Sequence, residues 1–290
     1  MSIWKAVILG LVQGFTEFLP VSSSGHLVLI KQILGVDLES GGTFFDVMLH
    51  FGTLMAIVVA FWNDVQHLFT EGINILKDTG SNIAIFFSNE AKGRKSYHRI
   101  VRSSYRKYVL LLMISTIPTG IIGILLVDLV EISNEMILVP ACCLLVNSLF
   151  LLIADLVEPG ERKPKDVSYS SAALIGVAQG ISSLPGVSRS GTTITACFLC
   201  GFEKRFAVRY SFIMSIPAVL GAVIYEIIQM PALALSQTDI LCCIVATMIA
   251  AISGYLAIRF MMNLIQRKRF KYFSIYCAVV GAAALIWYFV

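Results

Sequence analysis

The sequence predicts an all-α integral membrane protein built as an inverted-topology repeat, with six spanning helices and two re-entrant helical hairpins. Three observations lead to this prediction. The 290 residues are 57% hydrophobic and only 14% charged, whereas soluble domains carry about 25% charged residues. Six apolar segments are long enough to cross a bilayer, and two polar loops that interrupt further apolar stretches resemble each other.

The predicted spanning helices are apolar over about 20 residues, the length that crosses the hydrocarbon core of a bilayer. They cover residues 43–62, 108–127, 136–157, 210–229, 240–262 and 273–290. Residues 3–34 and 170–202 are also apolar, but Pro, Gly and Ser residues break each stretch near its middle. Each half is too short to span, so both stretches are predicted to be re-entrant hairpins, whose irregular backbone lies within protein or beside a water-filled cavity.

Lys and Arg residues set the expected orientation, because cytoplasmic loops of membrane proteins are enriched in them. The basic loops 89–107 and 263–272 are expected in the cytoplasm, and the connections 128–135 and 230–239, which lack Lys and Arg, are expected outside. The first hairpin then enters from the outside, the second enters from the cytoplasm, and both termini lie outside. The mixed stretch 64–88 is interpreted as a cytoplasmic surface helix. A seventh span there would reverse the predicted orientation of every segment that precedes it.

The two predicted hairpins share polar and glycine positions at an offset of 166 residues. The matched residues are Gly10, Gln13, Gly14, Val21, Ser22, Ser24 and Gly25 with Gly176, Gln179, Gly180, Val187, Ser188, Ser190 and Gly191. Each copy is followed by three predicted spans. Because the chain crosses the membrane an odd number of times between the two copies, the second copy enters from the opposite face. Residues 1–157 and 158–290 are therefore predicted to be inverted repeats, which commonly place a site near the membrane midplane.

The first hairpin carries residues that suit phosphate binding and proton transfer. Gln13 and Glu17 are four residues apart and share one helix face, and Pro20 ends that helix. A polar loop, 22–25, follows, and His26 is predicted to begin the returning helix. The N-terminus of that helix has free N–H groups and a partial positive charge, so with the serine hydroxyls it forms an anion cradle.

The second hairpin reads P-G-V-S-R-S-G over residues 185–191 and contributes Arg189, a forked cation suited to phosphate oxygens. Charged groups at membrane depth are costly and usually functional. Together Glu17, His26 and Arg189 supply a carboxylate for a metal or a proton, an acid/base or nucleophile, and an anion clamp. Phosphoryl transfer requires these parts.

Structural roles remain open for each of these residues. The Ser-Gly loops could merely break helices, Gln13 could make an interhelical hydrogen bond, and Arg189 could form a structural ion pair. Asp46 and His50 either line the site or pack near the outer end of the first span. The seven cysteines lie in apolar stretches, so they are expected to be buried thiols rather than metal ligands or disulfides. No cleavage site for a signal peptide is evident.

The segments Q-G-F-T-E-F-L-P-V-S-S-S-G-H-L (13–27) and P-G-V-S-R-S-G-T-T-I (185–194) resemble the two signature segments of the undecaprenyl-diphosphate phosphatase family, also called bacitracin-resistance proteins. The segment F-D-V-M-L-H-F-G-T-L-M-A (45–56) resembles the first span of that family. The resemblance covers essentially the whole chain. It implies hydrolysis of undecaprenyl diphosphate to undecaprenyl phosphate, which recycles the carrier lipid for peptidoglycan synthesis and confers bacitracin resistance.

The resemblance also implies a bacterial plasma-membrane location, a divalent cation (Mg²⁺ or Ca²⁺) and a homodimer; the net charge of +4 reports membrane topology and not a nucleic-acid partner. By resemblance Glu17, His26 and Arg189 are catalytic, with Ser23 beside the phosphate. The residues expected to bind phosphate are Gln13, Ser22, Ser24, Gly25, Ser188, Ser190 and Thr193. The family's E/Q-x-x-x-E motif occurs here with Gln, which leaves Glu17 as the carboxylate candidate for a metal.

Two other functions stay open from the residues alone. Inverted repeats with broken helices are typical of transporters, so a lipid-phosphate transporter or flippase could use the same Arg and Ser clamp. A lipid phosphatase of the acid-phosphatase type is less consistent with the sequence, which has no H-x-x-x-D partner and no K-x-x-x-x-x-x-R-P segment. If the protein is a phosphatase, the polyprenyl tail is expected to lie between helices and the site is expected to open to the outer face.

Overall fold

A computed structural model of the chain describes residues 1–36, 42–88, 97–134, 136–229, 236–267 and 269–290. Regular structure in these ranges is helical, apart from one isolated β-bridge between Arg162 and Phe202. The α-helices are α1 (Ile3–Phe18), α2 (Ser23–Ile33), α3 (Gly42–Ala60), α4 (Trp62–Phe87), α5 (Ser104–Leu125), α6 (Val127–Asn134), α7 (Leu138–Leu156), α8 (Tyr169–Ile181), α9 (Arg189–Leu199), α10 (Lys204–Gln229), α11 (Gln237–Leu264) and α12 (Phe270–Phe289).

Five of the described helices are long and apolar enough to cross a membrane, namely α5, α7, α10, α11 and α12. All five were predicted from hydropathy, although α10 begins at Lys204 and not at residue 210. A sixth is obtained only if α3 and α4 are counted as one span, and these two helices are bent by 88° at their junction. Some residues of the predicted loops lie outside the described ranges, namely 89–96 of the basic loop, 135 and 230–235 of the two connections predicted outside, and 268.

The four helices α1, α2, α8 and α9 are shorter than the membrane is thick. They contain 16, 11, 13 and 11 residues, which correspond to lengths of about 16–24 Å at 1.5 Å per residue, against about 30 Å for the hydrocarbon core. The chain reverses between α1 and α2 and again between α8 and α9. The second turn requires a glycine at position 186, where φ is +97°.

Glycines let these short helices approach the long ones. Helix α1 packs against α11, and α8 packs against α5. A Cβ on Gly10 would lie 2.7 Å from the carbonyl oxygen of Ala246, and one on Gly180 would lie 2.6 Å from Cβ of Ile122. Small residues at such positions allow close backbone contact between membrane helices. The glycines shared by the two sequence copies therefore have a packing role in both places.

Helix α4 is joined to the start of α5 by a buried cation. The guanidinium of Arg106 is fully buried; its Nε donates to Glu71 at 2.7 Å, and its Nη1 donates to Asp78 at 2.5 Å and to the carbonyl of Ile100 at 3.0 Å. Glu71 and Asp78 lie on α4, so the ion pairs hold this helix against α5 beyond the 88° bend. Sequence patterns did not indicate this attachment.

All seven cysteines are free thiols. Four of them are buried, as expected, namely Cys197, Cys242, Cys243 and Cys277. Cys143 and Cys200 are only partly buried and Cys142 is exposed, contrary to the expectation that the cysteines would be buried. Cys142 lies on an apolar helix, α7, one face of which packs against α12, so an exposed apolar side chain there is compatible with a lipid surrounding.

The packing of α1 on α11 predicts a steric penalty for enlarging Gly10. The variant Gly10→Ala is expected to lower the free energy of unfolding by about 1–3 kcal/mol, because overpacking displaces a backbone that has no room to move. Thermal unfolding of the purified protein in detergent measures the change. The control is Gly120→Ala on α5, where nothing lies within 4 Å of an added Cβ. Equal unfolding temperatures for the two variants would contradict the packing described for α1.

Candidate active site

The two hairpin turns meet inside the helical assembly, where Asn147 of α7 connects them. Its Nδ2 donates to the carbonyl oxygen of Pro20 at 3.0 Å, and its Oδ1 accepts from the backbone N–H of Ser188 at 3.1 Å. Asn147 is completely buried. A Cβ on Gly25 would lie 3.0 Å from Cα of Gly186, so the turns touch each other. One amide thus fixes the relative position of the two turns.

Each hairpin uses a serine to cap its returning helix. The Ser22 hydroxyl accepts from the N–H of Gly25 at 3.3 Å, and the Ser188 hydroxyl accepts from the N–H of Gly191 at 3.1 Å. The cap places the start of α2 at Ser23, three residues before the start predicted from the sequence, because serine satisfies free N–H groups at this position. Ser22 is the one described non-glycine residue with a positive φ, at 70°.

The caps leave other N–H groups at the two helix starts without an intrahelical acceptor. In α2 these belong to Ser23 and Ser24, and in α9 they belong to Arg189 and Ser190. The expected phosphate ligand Gly25 donates instead to its capping serine, and so does Gly191 at the matched position of the second copy. The first N–H groups of each helix are therefore available to an anion, and the helix N-terminus carries a partial positive charge there.

Glu17, at the end of α1, connects side chains from both hairpins. Its Oε1 accepts a hydrogen bond from Nη2 of Arg189, and its Oε2 accepts from the Ser23 hydroxyl and from Nε2 of Gln13, the last at 3.1 Å. Only 7% of Glu17 is exposed. The buried carboxylate is thus neutralised by a cation from the second hairpin and holds a hydroxyl from the first.

His50 of α3 also belongs to this group, whereas Asp46 does not. Nδ1 of His50 lies 3.0 Å from Nε2 of Gln13 and 3.9 Å from Oε2 of Glu17. Asp46 forms a salt bridge with Lys31 at 2.6 Å. We refer to Gln13, Glu17, Ser23, His50 and Arg189 as the Glu17 cluster. The sequence left open whether His50 and Asp46 line the site or only pack near it. The structure places His50 in the cluster and Asp46 outside it.

His26 has partners for both ring nitrogens. Its Nδ1 lies 2.7 Å from the carbonyl oxygen of Ser22, which only accepts, so in the neutral ring Nδ1 carries the proton. Nε2 then accepts from the hydroxyl of Tyr276 at 2.8 Å, and the two rings stack with centroids 5.6 Å apart. No motif marked Tyr276, an isolated tyrosine in an apolar helix.

Thr193, an expected phosphate ligand, has its hydroxyl committed elsewhere. It donates to the carbonyl of Arg189 at 2.7 Å and lies 2.5 Å from the Ser211 hydroxyl. Asn147, in contrast, was not a candidate from the sequence. A single amide in an apolar span was its only signal, because polar groups in such spans commonly hydrogen-bond between helices.

The Glu17 cluster contains the groups that phosphoryl transfer uses. A hydroxyl held by a carboxylate is the arrangement of a nucleophile and its general base. The side chain of Arg189 is 20% exposed, and Glu17 accepts from only one of its nitrogens, so further guanidinium N–H groups can clamp an anion. Among the described residues, no three His, Cys, Asp or Glu side chains form a metal site.

Comparison with known proteins gives one family over nearly the whole chain. The model of the bacitracin resistance protein BacA family matches residues 6–283. The undecaprenyl-diphosphatase of Halothermothrix orenii is 35% identical over 286 residues, covering 99% of this chain and 98% of the relative. That of Methanosphaera stadtmanae is 37% identical over 286 residues with the same coverage. That of Korarchaeum cryptofilum is 38% identical over 289 residues, covering 98% and 99%.

The bridge between the turns predicts that Asn147→Ala destabilises the protein. The substitution leaves the carbonyl of Pro20 and the N–H of Ser188 unpaired in the interior, and one buried unsatisfied group costs about 1–3 kcal/mol. Thermal unfolding in detergent measures the loss. Leu149→Ala on the same helix is the control, because Leu149 is 59% exposed. If Asn147→Ala unfolds at the wild-type temperature, the amide does not hold the turns together.

Proposed function

The chain belongs to the bacitracin resistance protein family, and from this premise we propose that it is an undecaprenyl-diphosphatase. It hydrolyses undecaprenyl diphosphate to undecaprenyl phosphate and phosphate. The reaction recycles the carrier lipid for peptidoglycan synthesis and confers resistance to bacitracin, which sequesters the diphosphate. One observation of the structure supports this activity above others: the buried carboxylate of Glu17 holds the Ser23 hydroxyl and the Arg189 guanidinium together.

The proposed architecture is an inverted repeat of residues 1–157 and 158–290, each with a re-entrant hairpin. The equivalent pairings of α1 with α11 and of α8 with α5 support it, as do the equivalent serine caps. The lengths of the four hairpin helices are consistent with helices that enter the membrane and return. Helix α3 is the proposed sixth span, and α4 lies on the membrane surface beyond the 88° bend.

The proposed orientation follows from Lys and Arg. The starts of α5 and α10 and the end of α11 lie near basic segments and are assigned to the cytoplasm. The first hairpin opens to the outer face of a bacterial plasma membrane, with both termini outside. The ammonium of Met1 pairs with Asp239 at 3.3 Å, so the N-terminus lies beside the start of α11, which this assignment also places outside.

The substrate binds with its isoprenoid tail in the bilayer and its diphosphate at the two turns. The guanidinium of Arg189 and the first N–H groups of α2 and α9 hold the phosphate oxygens. The hydroxyl of Ser24 adds a donor at the start of α2, whereas that of Ser190, also expected to bind phosphate, donates to the carbonyl of Leu19. Fixed donors of this kind stabilise the negative charge that develops during phosphoryl transfer.

Ser23 is the proposed nucleophile. Its Oγ attacks the terminal phosphorus, its proton passes to Oε2 of Glu17, and the bond from phosphorus to the bridging oxygen breaks. Undecaprenyl phosphate leaves, and the phosphoryl group stays on Ser23. His26 is less suited to the attack, because the lone pair of its Nε2 already accepts a hydrogen bond from Tyr276.

Water completes the reaction. It attacks the phosphorus of the phosphoserine, and Nε2 of His26 takes its proton. The bond from phosphorus to Oγ of Ser23 breaks, and Glu17 returns its proton to that oxygen. His26 then releases its proton to solvent as phosphate leaves. His26 follows Ser23 by three residues, so both side chains lie on one face of α2. Tyr276 must give up its hydrogen bond to Nε2 before this step, which couples the second half-reaction to a movement of that side chain.

A divalent cation is a further proposal, and the donor set fits one. Oε1 of Gln13 is buried and has no hydrogen-bond partner among the described residues, and Glu17 lies one helical turn away. Mg²⁺ binds through one or two carboxylates together with substrate phosphates. Gln13 and Glu17 would hold the ion with the diphosphate, and the ion would neutralise charge on the phosphate oxygens.

The transporter alternative is less well supported. A transporter has no need of a hydroxyl held by a carboxylate, and the relatives named above are diphosphatases. A homodimer stays a prediction from the family resemblance.

Loss of the Glu17 cluster is expected to abolish turnover. Glu17→Gln removes the base and half of the ion pair, and Ser23→Ala removes the nucleophile, so each is expected to lower kcat by about 10²–10⁴-fold. Phosphate release from a polyprenyl diphosphate in detergent measures turnover without a membrane gradient. Asp46→Asn is the control, since Asp46 pairs with Lys31 away from the cluster. Full turnover in Glu17→Gln and Arg189→Gln would refute the assignment.

The metal proposal predicts opposite effects of two substitutions at Gln13. Gln13→Glu adds a second carboxylate and is expected to lower the Mg²⁺ concentration that gives half-maximal phosphate release. Gln13→Ala removes the free oxygen and is expected to raise that concentration. Activity is titrated with Mg²⁺ after chelation. An unchanged half-maximal concentration in both variants would show that Gln13 is not a ligand.

A further inference from the structure

A polar cavity lies apart from the Glu17 cluster. It opens beside the 88° bend between α3 and α4, against α10 and α11, with a volume of about 540 Å³. Ligand pockets range over roughly 300–1,000 Å³. Its polar lining residues are Asn63, Asp64, Arg209, Arg259 and Asn263. Helix α3 carries His50 of the cluster and ends at Ala60 beside the cavity, so the two sites are separated by about 15 Å along this helix.

The charge of the cavity is positive among its described lining residues. Arg209 pairs with Asp64 at 3.4 Å. Arg259 lies 5.6 Å from the ring centroid of Tyr255, and within the described ranges no carboxylate forms a salt bridge with it. One cation is therefore left uncompensated. The amides of Asn63 and Asn263 add hydrogen-bond donors, so the polar end of the cavity is suited to an anion.

The other wall of the cavity is apolar. Val59, Ala60, Ile258 and Met262 line it, and Trp62, also part of the lining, is 58% exposed. Tryptophan is enriched where a membrane meets water. The cavity therefore offers a cation and an apolar wall near the membrane surface. This combination suits an amphiphile whose anionic head contacts the arginines and whose chain lies along the apolar wall.

The position of the cavity favours a lipid. The bend after α3, the start of α10 and the end of α11 surround it, and the positive-inside rule assigns all three to the cytoplasm. Basic pockets between membrane helices on the cytoplasmic side bind the headgroups of anionic lipids. A guanidinium contacts a phosphate through two parallel hydrogen bonds, which gives Arg259 a defined role.

We propose that this cavity binds the phosphate headgroup of an anionic phospholipid of the cytoplasmic leaflet. Arg259 contacts the phosphate directly, and Arg209 lies between the phosphate and Asp64. Because the bound lipid touches α3, α4, α10 and α11, it holds the bend against the bundle and stabilises the folded protein. The site takes no part in hydrolysis, so it is independent of the chemistry at Glu17.

The test titrates the purified full-length protein in detergent with phosphatidylglycerol and follows its unfolding temperature. Phosphatidylglycerol is expected to raise the temperature to a plateau, and phosphatidylcholine is not. Arg259→Gln is expected to weaken the apparent affinity for phosphatidylglycerol about tenfold, the loss of one charge-assisted contact. Lys271→Gln is the matched control, because Lys271 is an exposed cation outside the cavity lining. It is expected to bind as the wild type does.

A folding check and a second variant support this test. Phosphate release shows that Arg259→Gln is folded, and Asn263→Ala, expected to weaken binding a few-fold, serves as a second variant. Equal stabilisation by both lipids, or wild-type affinity in Arg259→Gln, overturns the proposal. Inorganic phosphate at matched concentration is the last arm, measured in the wild type and in Arg259→Gln because phosphate is also the product at the Glu17 cluster. If it reproduces the full shift in the wild type and that shift weakens in Arg259→Gln, the cavity takes the free anion and the lipid assignment is wrong. A phosphate shift that is equal in both proteins comes from the Glu17 cluster and leaves the lipid assignment standing.

Discussion

The ion pair between Glu17 and Arg189 is the interaction on which the rest of the site depends. Each charge comes from a different hairpin, and the carboxylate is almost completely buried. Removing one partner leaves an uncompensated buried charge, which is strongly destabilising. The pair therefore forms only when both hairpins are in place. The same carboxylate accepts a hydrogen bond from the Ser23 hydroxyl. The contacts of the Glu17 cluster are therefore complete only when the two hairpins have packed together.

The turns themselves follow from a constraint on backbone polar groups. A helix that ends inside the assembly exposes carbonyl groups that must find donors away from bulk water. Asn147 satisfies Pro20, and the hydroxyl of Ser190 donates to the carbonyl of Leu19 at 3.3 Å. The returning helices meanwhile present N–H groups that no helical carbonyl accepts. The break in each apolar stretch thus costs the fold helical hydrogen bonds and leaves N–H groups that an anion could accept.

The two sequence copies share architecture but divide the chemistry. Both retain the glycines that contact a long helix and the serine that caps the returning helix. The positions equivalent to Gln13 and His26 are Gln179 and Thr192, whose side-chain polar atoms are buried without hydrogen-bond partners among the described residues. The first hairpin supplies the carboxylate, hydroxyl and imidazole, and the second supplies the cation. Neither copy alone holds a complete set.

The sequence by itself determined the membrane class, five spanning helices, the two broken stretches and the family, because composition, apolar length and motif are local properties of a chain. It also selected Glu17, Ser23 and Arg189 as candidates, and the structure brings their side chains into contact. Only the tertiary structure decided that α2 starts at Ser23 and that His50 joins the cluster while Asp46 pairs with Lys31.

The tertiary structure likewise decided the roles of Asn147, Tyr276 and Arg106. Asn147 contacts a carbonyl 127 residues away, and Tyr276 contacts a ring 250 residues away. An isolated polar residue in an apolar helix carries no information about its partner, because hydrogen bonds act over about 3 Å in space at any separation in sequence. The sequence therefore determines which groups are present, and packing of the helices determines which of them meet.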